Sequence, residues 1–78
     1  MNRAETLEWI DLILDSMGRH ETMAMINESI NDFDGEFFET INSELERYTS
    51  EGDQAAAGRL TEIARTIAAL RQNRSENL

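Results

Sequence analysis

In the stretch SINDFDGEFFETINSE, residues 29–44, the run Asp32-Phe33-Asp34-Gly35 reads either as the turn of a calcium loop or as the entrance to a helix. An EF-hand loop needs oxygen ligands at positions one, three and five, Gly at six and a bidentate Glu at twelve. With Gly35 at six, Asp32 and Asp34 fall on three and five, but Ile30 and Ile41 take positions one and twelve. Two obligatory ligands are hydrocarbon, so no metal is expected here. The helical reading is consistent throughout. Asp32 or Asp34 accepts hydrogen bonds from the unpaired N–H groups of a starting helix, and Glu36 places negative charge at the positive end of its dipole. Beyond it, Phe37 or Phe38, then Ile41, Leu45 and Tyr48, recur on one side of a helix over residues 35–50.

The same spacing of three and four extends in both directions, and no Pro interrupts it. A first helix is expected near residues 4–17, with Leu7, Ile10, Ile13, Leu14 and Met17 inward, Trp9 and Leu12 widening that stripe, and Gly18 as its C-terminal cap. A second runs from His20 to Asn31 with Met23, Ile26 and Ile30 inward. After Ser50-Glu51-Gly52, Asp53 caps a fourth helix over residues 54–72, whose inner stripe is Ala56, Leu60, Ile63, Ile67 and Leu70. The fold class is therefore all-α: four helices as two antiparallel hairpins, a small bundle or a repeat pair. Residues 1–72 make one helical domain and 73–78 a polar C-terminal tail.

An offset of 34 residues aligns the chain with itself. Gly18 falls on Gly52, Leu7 on Ile41, Leu14 on Tyr48, Met23 on Ala57, Ile26 on Leu60, Ile30 on Ala64 and Phe33 on Ile67. Tyr48, Gly52, Ala57 and Ala64 occupy the Tyr, turn-Gly and two small-residue positions of a tetratricopeptide repeat. The segment Phe33–Leu70 is similar to helical hairpins of bacterial tetratricopeptide-type multidomain proteins. The pattern is degenerate: Glu44-Leu45 stands for the usual Leu-Gly, Thr61 for an aromatic, and Met23 and Ile30 for the small residues of the first half. An unrelated helical bundle of two equal hairpins remains the alternative.

Composition limits function more than it names it. A chain of 78 residues has room for one modest core, and the net charge of -9 is carried by sixteen acids against seven bases, all Arg. Direct nucleic-acid binding needs clustered bases for the phosphates, and is not expected. Charge is uneven: residues 1–52 hold thirteen acids and three Arg, residues 53–78 three acids and four Arg. Arg59, Arg65 and Arg71 are expected beside the acids of the third helix. There is no Cys for a disulfide or thiolate. No basic leader and no apolar run of membrane-spanning length occurs, so no membrane partner and a cytoplasmic location are expected.

The chemistry-bearing patterns are incomplete. His20-Glu21 begins an HExxH zinc helix, but Ala24 stands where the second ligand must be, and His20 is the only His. Glu5, Glu8, Asp11 and Asp15, and Glu36, Glu39, Glu44 and Glu46, are spaced along two helices, yet no Glu-x-x-His accompanies them, so they read as solvated faces. No catalytic residue and no cofactor is expected, and the chain is not read as an enzyme. The expectation is an interaction module or adaptor, a homodimer or bound to a larger protein, docking through Trp9, Leu12, Met25, Phe37 and Phe38, with surrounding acids favouring basic partners. The alternative is an acidic inhibitor that mimics DNA charge and fills a nucleic-acid-binding groove.

Overall fold

The computed structural model describes the backbone of residues 1–76 and the side chains through Arg71. Four helices follow one another: α1 (Arg3–Leu14), α2 (Arg19–Ser29), α3 (Gly35–Ser50) and α4 (Gln54–Glu76), with a 3₁₀ turn at Ile30–Asp32 and no strand among the described residues. The tail expected over 73–78 is helical as far as Glu76, and its last two positions lie outside the described residues.

Helices α1, α3 and α4 begin where a side chain can satisfy their first N–H groups. Asn2 Oδ1 accepts from Glu5 N at 2.8 Å while Glu5 Oε1 accepts from Asn2 N at 3.1 Å, a capping box for α1. Asp34 answers the question raised by residues 29–44. Its Oδ1 accepts from Phe37 N at 2.9 Å and its Oδ2 meets the Met1 amine at 3.1 Å, so the carboxylate starts a helix. Asp53 Oδ1 accepts from Ala56 N at 3.2 Å at the head of α4.

Gly52 ends α3 as a Schellman cap: at φ 77° it lets its own N–H reach Thr49 O at 3.1 Å and that of Asp53 reach Tyr48 O at 2.9 Å. Gly18 does not do the same for α1, a correction to the sequence reading. α1 stops at Leu14 because Ser16 intervenes, its N–H and Oγ both donating to Ile13 O at 3.2 and 2.6 Å. Gly18, at φ 88°, instead precedes α2.

The stripe of α1 is also rotated from expectation. Thr6, Trp9, Ile10 and Ile13 are buried, Leu7 and Leu14 are half-buried, and Met17 is 82% exposed in the connection to α2. Trp9 sets the rotation: its indole meets Phe33 and Phe37 edge-on, both at 5.3 Å, while those two rings stack at 4.1 Å. Ile26, Ile41, Tyr48, Leu60, Ile63 and Ile67 complete the core.

α3 and α4 form the most extensive helix pair, and α1 lies against both. α1 and α2 are not packed side by side in that way, so the first expected hairpin is splayed. Ile26 is the only residue of α2 that is fully buried. Two pairs of positions 34 residues apart nonetheless share their environments. Thr6 and Thr40 are both buried and both donate Oγ1 to the carbonyl one turn back, at 2.8 and 2.9 Å, and Ile26 and Leu60 are both at 0% exposure.

Glu44 corrects the expectation of a solvated acidic face. It is buried on α3, and Arg47 makes the burial tolerable by gripping both carboxylate oxygens at 2.9 and 3.0 Å while reaching Glu51 at 3.0 Å. The Arg47 hydrogen bonds hold the Glu44 carboxyl below the usual carboxylate range, and the Phe37 N–H and then the terminal amine do the same for Asp34. Burial, with the Glu44 charge beside it, pushes the Tyr48 hydroxyl up.

A carboxyl with a lower pKa in the folded than the unfolded chain binds fewer protons when folded, so its stabilisation is present at neutral pH and lost as pH falls through the folded value. Stability should therefore decline below about pH 4, the ordinary carboxylate range. Urea melts from neutral to acid pH check this, and Glu44→Gln should flatten the dependence. Ala57, half-buried against the core on α4, tests the α3–α4 contact. Ala57→Leu should cost about 1–3 kcal/mol through overpacking; thermal melts of the variant provide the measurement.

Candidate functional site

The five residues expected to bind a partner do not share one surface. Trp9 and Phe37 are core, at 6% and 0% exposure, and present nothing to a second molecule. Phe38 is half-buried, with the Phe37 ring at 5.2 Å and the Arg71 guanidinium 4.9 Å above its face. Met25 is half-buried against the core, and Leu12 stands out at 57% exposure. The physical reason is the aromatic cluster: rings supplied by α1, α3 and the turn before α3 hide one another, so Trp9 and Phe37 are absorbed within the chain.

The open feature lies elsewhere, between α2 and α4. Because α2 is held by Ile26 and by its first turn but is not packed along α4, a cleft of about 620 Å³ remains. Met23 and the almost fully buried Ile26 and Ile63 supply its apolar lining, and Thr22, Thr66, Arg19, Arg59, Arg65 and Glu62 its polar lining.

Arg59 is the bridge that holds this end together. Its Nη2 donates to Ser16 O at 3.1 Å, Ser16 Oγ at 2.9 Å and Thr22 Oγ1 at 3.3 Å, spanning from α4 to the α1–α2 connection. Ser16 Oγ and Thr22 Oγ1 lie 2.6 Å apart, which closes the cluster. Arg59 Nε is buried and has no hydrogen-bond partner.

The expected pairing of Arg59, Arg65 and Arg71 with the acids of α3 is therefore corrected in part. Arg59 turns to Ser16, Arg65 lines the cleft, and Arg71 sits over Phe38. Among the described residues no group of three or more His, Cys, Asp or Glu is arranged to hold a metal ion, and no helix is long and apolar enough to cross a membrane. No family model, curated protein or solved structure matches the chain.

A reading of the sequence misses this cleft because its polar residues come from two segments, 19–22 and 59–66, that only the fold brings together. The one available signal is the concentration of four of the seven Arg in residues 53–78, joined by Arg19 directly after Gly18.

Proposed function

We propose that the chain is a protein-interaction module that receives an amphipathic segment of a partner in the cleft between α2 and α4. The observation that carries this reading is the cleft itself, about 620 Å³ and lined by half-buried Met23, Thr22 and Thr66 together with Arg19, Arg59 and Arg65, within the size range of binding pockets. Apolar groups entering it gain about 25 cal/mol for each Å² removed from water, while the surrounding Thr and Arg groups orient what enters. With Trp9 and Phe37 inside the core, Leu12 and Met17 are the large apolar residues left exposed among the described residues.

The repeat resemblance joins this reading as a proposal: the two halves are degenerate copies of one helix–turn–helix unit. Support comes from the positive φ of both Gly18 and Gly52 and from the matched burial of Thr6 with Thr40 and Ile26 with Leu60.

Site-directed photocrosslinking in native lysate tests the functional reading. A photoreactive residue replaces either Thr66 in the cleft or Leu12 on α1, each with and without Met23→Glu. Adducts are expected from position 66, and Met23→Glu should abolish them while circular dichroism stays unchanged. Adducts from position 12 alone, whether with another protein or a second copy of the chain, overturn the proposal.

A further inference from the structure

We infer that the segment taken up by the α2–α4 cleft is acidic, its carboxylates read by Arg19 and Arg65 at the mouth; this rests on the binding reading above. The argument is one of charge distribution. In a chain of sixteen acids and seven Arg, the cleft is lined by three of the Arg and by Glu62 alone among the acids. Arg59 is committed to Ser16 and Thr22, which leaves its exposed neighbours Arg19 and Arg65 to meet a ligand.

One further feature acts in the same direction. Guanidinium groups bind carboxylates in a two-pronged geometry, with charge-assisted hydrogen bonds about twice as strong as neutral ones. An acidic amphipathic helix matches both sides of the lining, an apolar side chain on half-buried Met23 and carboxylates on Arg19 and Arg65. A nucleic acid fits less well, since a polyanion extending past the cleft meets the acids that surround it.

The test is an amide-shift titration of the intact chain with three synthetic helical peptides of about twelve residues, close to the length of α2. All carry Leu on one face; the other face carries Glu, Gln or Lys. The Glu peptide is expected to shift amides at the start of α2 and over residues 59–66 of α4. Arg19→Glu combined with Arg65→Glu should weaken it by about tenfold or more, the scale of one lost charge-assisted hydrogen bond. Added salt should weaken it as well. Both substitutions are at exposed positions, and unchanged melting of the double variant keeps the comparison clean.

Equal affinity for the Gln peptide overturns the carboxylate inference and leaves the cleft as an apolar docking site. Preference for the Lys peptide overturns it too, and assigns partner choice to the surrounding acids. If none of the peptides shifts cleft amides, the binding reading itself falls with the inference.

Discussion

Phe37→Ala is expected to remove a large part of the stability of this chain. Phe37 is at 0% exposure, and its ring meets Trp9 at 5.3 Å, Phe33 at 4.1 Å and Phe38 at 5.2 Å. Truncating a buried Phe costs about 3–5 kcal/mol in transfer and cavity terms. Loss of the ring contacts is part of that figure, since such aromatic pairs are each worth about 0.5–1.5 kcal/mol beyond area. A chain of 78 residues has about 4–12 kcal/mol in total at the usual stability per residue. The variant should thus begin to unfold at the lowest urea concentrations, with a large fraction unfolded in buffer at the lower end of that range. Phe37→Leu, which leaves a smaller void, should fold and melt between the two. Wild-type behaviour of Phe37→Ala would mean that the aromatic cluster does not anchor α1 to α3.

Arg59→Met should produce the second large effect, and a local one. The substitution retains most of the apolar stem while removing the hydrogen bonds that tie α4 to the α1–α2 connection and to α2, at Ser16 O, Ser16 Oγ and Thr22 Oγ1. Hydrogen bonds to a charged group contribute about 1.5–3 kcal/mol each when buried, but Arg59 Nε already lacks a partner, which lowers the net loss. A total of about 2–3 kcal/mol is expected, because the hydroxyls of Ser16 and Thr22 can still pair with each other at 2.6 Å. Since Ile26 is the only fully buried residue of α2, that helix should lose protection first. Hydrogen exchange should speed up in α2 while α3 and the centre of α4 change less. A uniform loss across all four helices would show that Arg59 supports the whole core and not the cleft end.

The order of helices, the Gly52 turn and the caps at Asp34 and Asp53 are legible in the sequence because they depend on residues within one turn of each other. Hydrogen bonds from a cap to the next N–H groups, and the positive φ that favours Gly, are local constraints. The inward positions of α4 are equally legible: Leu60, Ile63 and Ile67 are buried at the spacing that the period predicts.

Periodicity alone does not choose between Phe37 and Phe38 or rotate α1 onto Trp9, because adjacent positions at the edge of a stripe differ little in local preference. The choice was made by rings arriving from α1, α3 and the turn between α2 and α3, contacts spanning up to 28 residues of chain. Glu44 reads as a surface acid until Arg47 folds back on it, and Arg59 reads as a partner for the acids of α3 until Ser16 and Thr22 capture it. The cleft belongs wholly to this second class. It exists because α2, with one fully buried side chain, is held at its first turn by Arg59 and does not close along α4, a balance set by tertiary packing.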